Sequence, residues 1–516
     1  MKFKKELILA VILFFGLFLR VYALGSESIW QDEGFSVSVA HMNLSELIAT
    51  TAADVHPPLY YLLLHYWISI FGDSEFSCRF LSALFGFFSI VMIYKVGSLL
   101  FHRDTGLLGA LVLALSEFHI HYSQVARMYS LMVLLTLLSF YYFIRLRREK
   151  GVRSTAGYMV WTILLMYTHI YGLFIVMAQN IYAISASVSS KNKTALGKWI
   201  ALQAILLSLY LPWLHSLMGQ VMKVEEGYWI PAPTLFSIVV SFTEYAGSVY
   251  SLLLLVLPVF LLLVPLKRYT ENVRVTNHVA PVGYPSGQQE ESAFWSITLL
   301  SIWLFTPIVM PFIISLFSRP IYHFRYTIGA SVAFYLLAAA GIDRIRSKPA
   351  KMLLICAIVL SSLANVWGYY KTTHKAQWRE VGMYLNEKAK SGDLVLIIPR
   401  GGRTGGRTRG KSVSGGDHPG ARGNQFPALS EVAFDYYFKR PDVAKKIFRI
   451  RTQKRLRGQD IDELYPLVRN YRRVWVILRR GADIEGLTGK TLSEHYELAY
   501  SGKYVGIEVS LYVKRE

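Results

Sequence analysis

Two carboxylates, Asp32 and Glu33, stand side by side directly after the first long apolar run of the chain. Charges this close to a bilayer are costly unless they line a polar cavity, and such cavities are usually functional. An adjacent pair suits a general base with a supporting carboxylate. The same two residues would also suit the cap and the first turn of a following helix, which favours acids.

A second polar group ends the same loop, where the chain reads Asp54-Val55-His56-Pro57-Pro58. We expect His56 and Asp54 to share a cavity with Asp32, where the imidazole could bind a phosphate oxygen or a metal. A turn before an interfacial helix, with His56 as a polar cap, is the plain structural alternative.

Arginines, histidines and tyrosines recur where later apolar runs begin. Arg127 stands at one such start, and its guanidinium fork suits phosphate oxygens, although snorkelling at the interface would also explain it. Arg319 and Arg325 repeat this arrangement near a late run. The other residues that we assign to the same polar cavity are Tyr129, His169, Tyr171, His323 and Tyr326. Such a set of side chains suits an anionic, lipid-linked ligand.

The composition indicates a polytopic membrane protein. Of 516 residues, 53% are hydrophobic and only 17% are charged, whereas about 25% of a soluble domain is charged. Apolar runs of spanning length recur through the first 370 positions. We expect eleven spans, near 6–24, 78–100, 106–116, 127–144, 156–169, 172–189, 199–217, 249–266, 293–317, 326–342 and 351–369.

The net charge of +21 does not predict a nucleic-acid partner, because its distribution follows the membrane. Much of the charge flanks apolar runs, and most of the remainder lies in the C-terminal segment. A basic face beside a membrane suits anionic lipid or phosphate groups. A merely solvated basic surface is the alternative for that segment.

Lysine and arginine concentrate in alternate loops, and this bias predicts the orientation. The N-terminus and the loops near 145–153, 191–198 and 344–351 are basic, whereas residues 25–77 contain no Lys or Arg. We therefore expect a multi-pass protein of the cell (inner or plasma) membrane with a cytoplasmic N-terminus. An odd number of spans then makes the C-terminal domain extracytoplasmic.

The chain divides by composition into a transmembrane domain, 1–370, and a small soluble α/β domain, 371–516. In the transmembrane domain, residues 25–77 form an outer loop that we predict to be catalytic. The pattern over residues 35–50 predicts one amphipathic helix on the membrane surface, and that over residues 59–71 predicts a helix too short to span the membrane. In the second, we expect a helix near 378–390 and strands at 394–399, 474–478 and 505–513. Residues 400–424, rich in Gly, Arg and Ser, are predicted to be disordered.

The order and outer placement of these motifs resemble a known superfamily. The chain resembles the GT-C superfamily of polyprenyl-phosphate-sugar glycosyltransferases, in the branch of the protein O-mannosyltransferases and the lipid A aminoarabinose transferase. The motifs that carry the resemblance are Asp32-Glu33, Asp54-Val55-His56-Pro57-Pro58-Leu59, Ser123-Gln124-x-Ala126-Arg127-x-Tyr129, Thr168-His169-x-Tyr171-Gly172 and Arg325-Tyr326.

The resemblance implies a fold, an activity and roles for residues. The fold is an α-helical polytopic GT-C domain of about eleven transmembrane helices with the small α/β domain after it. The activity is inverting transfer of a sugar from a polyprenyl- or dolichyl-phosphate carrier to an acceptor glycan, lipid or protein among membrane lipids. Asp32 would be the base and Glu33 its support. His56, Arg127, Tyr129 and Arg325 would bind the donor phosphate.

The resemblance leaves a divalent metal open. Val55 and His56 stand where the aminoarabinose transferase has an acid and a lysine before its paired prolines, so the metal-binding acid of that enzyme has no counterpart at this position. No other cofactor is expected.

Two other classes of protein share some of these features. A transporter or flippase for lipid-linked saccharides would also use charges in a membrane, but at the midplane between pseudo-symmetric halves. A phosphoethanolamine-type lipid transferase would need a Ser or Thr nucleophile and a metal cluster in a large soluble domain. Acids and arginines gathered around one outer cavity would favour sugar transfer.

Overall fold

The computed structural model describes residues 2–149, 151–226, 230–262, 288–399, 429–448, 456, 461–483 and 485–516. The predicted disorder of residues 400–424 falls outside these described residues. The chain divides into two compact units. The helical unit comprises Met1–Leu24, Met42–Val224 and Ile230–Thr372, and the sheet unit comprises Gly25–His41, Glu225–Trp229 and Thr373–Glu516.

Helices dominate the described residues, and one sheet lies in the C-terminal part. In chain order the helices are α1 (Lys2–Val21), α2 (Gln31–Ala40), α3 (Leu44–Ala53), α4 (Leu59–Phe71), α5 (Glu75–Leu100), α6 (Arg103–Leu115), α7 (Glu117–Ser123), α8 (Tyr129–Glu149), α9 (Val152–Met166), α10 (Gly172–Ser189), α11 (Lys193–Glu226), α12 (Leu235–Ala246), α13 (Val249–Phe260), α14 (Gln288–Phe317), α15 (Ile328–Asp343), α16 (Lys348–Lys371), α17 (Trp378–Lys388), α18 (Leu429–Tyr437), α19 (Leu464–Val468) and α20 (Leu487–Ser493). The strands are β1 (Leu394–Ile398), β2 (Ala444–Ile447), β3 (Arg473–Arg479), β4 (Tyr496–Tyr504) and β5 (Ile507–Lys514).

Each of the eleven predicted spans coincides with a helix over most of its described residues, and positions 263–266 of the eighth span lie outside the described residues. Among the described residues, six helices are long and apolar enough to cross a membrane, or seven if the pair α12 and α13, bent by 94°, forms one broken span. These six are Glu75–Leu100, Tyr129–Glu149, Gly172–Ser189, Lys193–Gln220, Ala293–Phe317 and Lys348–Lys371. The other predicted spans correspond to α1, which carries several charges, and to α6, α9, α13 and α15, which are shorter than 18 residues. The sequence prediction missed α12.

Helix α15 lies in the interior of the helical unit. Every residue from Ile328 to Ile342 is buried, which fits a helix that is apolar on all sides. The indole of Trp303 on α14 donates a hydrogen bond to the Gly329 carbonyl over 2.9 Å. The same ring stacks on Phe140 of α8 at 3.7 Å between centroids. These contacts join α8, α14 and α15.

Small residues allow α5 and α6 to approach closely. A Cβ atom at Gly106 would stand 2.5 Å from the Tyr94 carbonyl oxygen, and one at Gly97 would stand 2.9 Å from Gly106 Cα. Only glycine fits such a crossing. Arg20 of α1 is fully buried, and its guanidinium donates to the carbonyls of Leu113 and Ala114 over 3.0 and 3.2 Å. It thereby satisfies the last carbonyls of α6.

The sheet unit is built on one five-stranded mixed sheet of order β2-β1-β3-β5-β4. Strand β1 pairs in parallel with β2 and β3, while β5 pairs antiparallel with β3 and β4. All five residues of β1 are buried, so alternate side chains enter a core on each face. One core contains Val395, Trp475 and Trp378, and the other contains Leu394 and Val476.

The predicted helix and strands of this unit are confirmed, with boundaries changed by one or two residues. The third strand begins at Ile507 rather than at 505, because Gly506 has a φ of +74° and turns the chain from β4 into β5. Helix α17 ends two residues before the predicted boundary. The prediction missed the two edge strands, β2 and β4.

The single amphipathic helix predicted over residues 35–50 is wrong. The chain forms α2 and α3 instead, separated at residues 41–43. The side chain of Asn43 starts the second helix, because its Oδ1 accepts a hydrogen bond from the Glu46 amide over 2.9 Å. Helix α2 belongs to the sheet unit and α3 to the helical unit. The predicted short helix over 59–71 is confirmed as α4.

Candidate functional site

Two histidines from separate loops meet in the helical unit. His56 lies in the loop between α3 and α4, and His169 lies between α9 and α10, with their ring centroids 5.1 Å apart. The amide of Leu59 donates to the Tyr167 carbonyl over 3.1 Å, which joins the two loops. Pro58 precedes α4 directly, where its missing N–H leaves no donor unpaired.

Tyrosines surround the two imidazoles. The ring of Tyr326 lies 5.0 Å from His169, 6.2 Å from His56 and 5.5 Å from Tyr171. Tyr129, at the start of α8, stacks near Tyr326 at 6.4 Å and lies 6.3 Å from His169. The Tyr171 hydroxyl donates to the Ile321 carbonyl over 2.8 Å and thereby fixes the loop before α15. We call His56, His169, Tyr129, Tyr171 and Tyr326 the imidazole–tyrosine cluster.

Arg127 lies in the turn between α7 and α8 and is only 5% exposed. Its Nη1 donates to the Tyr61 hydroxyl of α4 over 3.2 Å. Its carbonyl accepts a hydrogen bond from Ser82 of α5 over 3.3 Å. The preceding Gln124 donates its side-chain amide to the Tyr22 carbonyl over 2.8 Å. The turn that presents Arg127 is therefore held from several helices.

The loop before α15 supplies Arg325. Its guanidinium carbon lies 5.7 Å from the centre of the Tyr326 ring, within cation–π range. The Arg325 amide donates to Nδ1 of His323 over 3.3 Å. The amide of Tyr322 donates to Ser315 Oγ over 3.0 Å, so this loop is tied to the end of α14. Both arginines thus lie in ordered turns.

Burial and nearby arginine charge keep His56, His169 and His323 neutral. Burial lowers the pKa of His56 well below its usual value. The charge of Arg127, the neighbouring His169 and the charge of Arg325 lower this pKa further. Burial lowers the pKa of His169 to about 3, with the same arginines contributing. The pKa of His323 also falls to about 3, through burial and then Arg325. Fixed positive charge at neutral pH therefore comes from the arginines.

Two ring nitrogens of the cluster are buried without a hydrogen-bond partner among the described residues. They are Nδ1 of His56 and Nε2 of His169. A buried polar atom without a partner costs about 1–3 kcal/mol. Native proteins keep few such atoms, and each calls for an explanation such as a bound ligand. Neutral imidazoles beside arginines suit a ligand that carries anionic oxygens.

Of the remaining residues assigned to the cavity from the sequence, one contacts the cluster and two do not belong to it. His323 contacts the cluster through Tyr326, at 5.7 Å between ring centroids. Asp54 is half-buried and ends α3, where its amide donates to the Thr50 and Thr51 carbonyls. Arg319 is exposed and has no place in the cluster.

The two acids predicted to be catalytic belong to the sheet unit. Asp32 lies half-buried in the first turn of α2, and its carbonyl accepts from Ser36 Oγ over 3.1 Å. Glu33 is fully buried, 0% exposed, and forms an ion pair with Lys375, with 3.3 Å between Oε2 and Nζ. The Trp30 amide donates to the same carboxylate over 3.3 Å. Glu33 therefore has a fixed partner that the sequence did not suggest.

The donor set of the cluster does not suit a divalent cation. Among the described residues, no group of three or more His, Cys, Asp or Glu side chains is arranged to hold a metal ion. The two imidazoles have the positive charges of Arg127 and Arg325 as electrostatic neighbours. Such neighbours repel a cation and attract an anion.

Sequence reasoning gave no role to Tyr61, Gln124 or Lys375. Tyr61 follows the paired prolines by three positions, so its place in the first turn of α4 was a usable signal. Gln124 lies inside a motif already singled out for Arg127. Lys375 is 342 positions from Glu33, and no local pattern connects the two.

Comparison with known proteins gives both a family model and a fold. Residues 55–215 match the model for dolichyl-phosphate-mannose-protein mannosyltransferases. The structure is similar to ArnT from Cupriavidus metallidurans bound to undecaprenyl phosphate, with a TM-score of 0.58, 10% identity and 97% of each chain covered. The chain has the GT-C fold.

This GT-C fold recurs in further solved structures. ArnT from Cupriavidus metallidurans in the apo state gives a TM-score of 0.57 at 9% identity, again with 97% of each chain covered. The oligosaccharyltransferase AglB from Archaeoglobus fulgidus, in complex with an inhibitory peptide and a dolichol-phosphate, gives 0.52 at 12% identity, covering 100% of this chain and 74% of AglB. None of the proteins with curated functions matches this sequence.

The resemblance stated from the motifs is thereby confirmed, as is the helical GT-C architecture with a small C-terminal sheet. Residues 55–215 thus resemble a mannosyltransferase family, and the chain shares its fold with ArnT and AglB. The matched segment 55–215 contains His56, Arg127, Tyr129 and His169, and thus much of the imidazole–tyrosine cluster.

Proposed function

We propose that this GT-C protein is an inverting glycosyltransferase that moves a sugar from a polyprenyl-phosphate carrier to an acceptor hydroxyl on the extracytoplasmic side. The imidazole–tyrosine cluster with its two arginines is the observation that carries the proposal. It combines fixed positive charge with buried, unpartnered ring nitrogens at His56 and His169. A lipid phosphate would supply oxygens for these groups. A dolichyl carrier has the same phosphate chemistry and differs in the lipid alone.

The donor phosphate, in this proposal, lies against Arg127 and Arg325. A sugar–phosphate diester carries one negative charge, and the leaving phosphate gains a second as the sugar–oxygen bond breaks. Preorganised cations aimed at developing charge give the largest single contribution in many enzymes. His56 and Tyr129 would add neutral hydrogen bonds to the same oxygens.

Transfer then proceeds as one displacement at the anomeric carbon. The acceptor oxygen forms the new bond, the bond to the phosphate oxygen breaks with its electron pair on phosphate, and the configuration inverts. The hydroxyl proton goes to Asp32, a role that rests on the sequence resemblance. Because phosphate is a good leaving group, no strong general acid is required. Glu33 supports Asp32 along α2.

The membrane side follows from the loop charges. The basic N-terminus and alternate basic loops favour a cytoplasmic N-terminus under the positive-inside rule. Residues 25–77, without Lys or Arg, would then lie outside. We propose an inner or plasma membrane location, with acceptors that arrive from outside as glycan, lipid or protein hydroxyls.

A reconstituted transfer assay tests the proposal. The full-length protein in liposomes receives a panel of polyprenyl-phosphate sugars, carrying mannose, glucose or aminoarabinose, together with a cell-envelope extract as acceptor. Release of polyprenyl monophosphate and labelled product are followed by mass spectrometry. We expect one donor to be turned over and Asp32→Asn to lower the rate by about 10²–10⁴, as expected for the loss of a positioned base.

The matched control for Asp32→Asn is Glu46→Gln, which removes an exposed acid from the first turn of α3. This variant should keep the rate of the unaltered protein. Movement of the lipid-linked sugar across the bilayer with no bond cleaved would identify a flippase and refute the transferase. Turnover by Asp32→Asn near that of the unaltered protein would remove Asp32 from the mechanism.

A further inference from the structure

Helix α2 is integrated into the sheet unit by close backbone packing. A Cβ atom built on Gly34 would stand 3.1 Å from the Ala433 amide nitrogen and 3.3 Å from the Val432 carbonyl carbon. Phe35, Val37 and Val39 of α2 are buried as well. The helix that carries Asp32 therefore lies directly on α18 of the C-terminal part of the chain.

The segment before α2 is tied to the same part. The Arg379 guanidinium donates to the carbonyls of Gly25 and Glu27 over 2.9 and 3.2 Å. Ser28 Oγ donates to Glu380 Oε2 over 3.0 Å. The backbone of Ile29 donates to the hydroxyl of Tyr437, a residue of α18. Backbone groups of residues 25–29 thus take their partners from the chain beyond residue 372.

The ion pair of Glu33 with Lys375 completes this arrangement. Nζ of Lys375 lies 3.3 Å from Oε2 and 3.4 Å from Oε1, and the two side chains are 0% and 6% exposed. A buried ion pair is weak evidence for stability, because desolvation offsets the attraction. Fixing one arrangement among alternatives is the better-attested role of such pairs.

We propose that Lys375 is a positioning residue for sugar transfer. It holds Glu33, and with it the first turn of α2, in the orientation that presents the neighbouring Asp32. The proposal rests on the proposed function, because it takes Asp32 as the base. The chain beyond residue 372 thereby contributes to the reaction, although Lys375 itself does not touch the sugar.

The size of the effect follows from the sensitivity of proton transfer to geometry. Residues in the first turn of a helix have few intrahelical bonds and depend on outside partners. A displacement of about 1 Å in a catalytic group costs about 10²-fold in rate. Lys375→Met leaves Glu33 buried without its cation, so the first turn must shift or admit water.

The test compares three changes in the full-length protein, with the donor that the unaltered protein uses from the panel. Lys375→Met should lower kcat about 10²-fold with the KM for donor within twofold. Lys375→Arg should recover most of this loss. The control Lys388→Met removes an exposed lysine that pairs with its neighbour Glu387, and should change neither constant.

A double variant distinguishes positioning from a merely structural role. In Glu33→Gln with Lys375→Met both charges are gone, so the Tm should recover relative to Lys375→Met while kcat stays low. Parallel recovery of Tm and kcat would overturn the proposal, as would an unchanged kcat in Lys375→Met. If Lys375→Met fails to fold, Tyr437→Phe is the substitute test, because it removes the hydroxyl that accepts a hydrogen bond from the Ile29 amide just before α2. It should lower kcat several-fold at unchanged KM, and full kcat would again overturn the proposal.

The outcomes separate this inference from the proposed function. When the unaltered protein transfers sugar and Asp32→Asn does not, a normal kcat in Lys375→Met refutes positioning alone. When Asp32→Asn transfers normally, the base assignment fails and the inference fails with it. Binding of polyprenyl monophosphate alone gives a third reading. It should be unchanged in Lys375→Met, and a tenfold loss there would show general disruption and refute positioning.

Discussion

Replacing Arg127 or Arg325, the two arginines beside the imidazole–tyrosine cluster, should weaken donor binding by different amounts. A hydrogen bond to a charged group contributes about 1.5–3 kcal/mol, which corresponds to about 10- to 150-fold in a dissociation constant. Arg127 is 5% exposed and ordered by Tyr61, so Arg127→Ala should approach the upper value. Arg325 is half-buried, and solvent screening places Arg325→Ala near the lower value.

Titration with polyprenyl monophosphate measures this effect directly. The full-length variants in detergent are followed by native mass spectrometry, and the initial rates give KM for the sugar donor in parallel. Arg→Lys at either position keeps the charge and loses the fork, so we expect an intermediate loss. The KM for acceptor should change less than the KM for donor.

Arg319→Ala is the matched control, because Arg319 is exposed in the same loop as Arg325. It should bind the lipid phosphate within twofold of the unaltered protein. The reasoning is refuted if Arg127→Ala and Arg325→Ala both bind within twofold as well. Equal losses in all three variants would also refute it, since they would indicate attraction to the membrane surface rather than a built site.

Three further predictions concern pH, the sheet core and topology. Burial holds the pKa of His169 at about 3, below the value of about 6.5 in an unfolded chain, so the unfolded state takes up the proton and stability falls as pH drops below about 6.5. The slope is at most about 1.4 kcal/mol per pH unit; Tm measured between pH 5 and 8 should therefore decline on the acid side, and less steeply in His169→Gln. Trp475→Ala should lower the free energy of unfolding by about 3–5 kcal/mol, because the indole is buried in the sheet core and donates to a carboxylate. Leu498→Ala, at an exposed position of β4, should lower it by under about 1 kcal/mol, and denaturant unfolding measures both. A periplasmic reporter fused after Glu516 should be active, and activity of a cytoplasmic reporter instead would require an even number of spans.

Features that depend on short stretches of sequence were predictable. The length of the apolar run and its polar boundaries predicted the bounds of α10 and α4 to the residue. The start of α10 is marked by Tyr171-Gly172, and the start of α4 is marked by the paired prolines. His56, His169 and Tyr326 were assigned to one cavity because each follows or precedes a span on the same side. The structure brings these three side chains together.

Features that depend on distant partners were not predictable. The amphipathic pattern over residues 35–50 does not show the break at Asn43, because a polar residue at this position also fits the polar face of one continuous helix. Gly34 of α2 packs against the α18 backbone at Val432 and Ala433, nearly 400 positions later in the chain. The pairing of Glu33 with Lys375 likewise needs the folded structure, because no local pattern connects two residues that are 342 positions apart.

The long separation between Glu33 and Lys375 has a consequence for biosynthesis. Glu33 in α2 and Ile29 just before it have partners 342 and 408 positions downstream, at Lys375 and Tyr437. At about 5–20 residues per second, a ribosome needs about 17–70 s to add 342 residues. During that interval the segment 25–41 has been translated but its partners do not yet exist. The nascent chain thus completes its helical spans before α2 can dock, and a truncated product ending before Lys375 cannot hold Asp32 in its native setting.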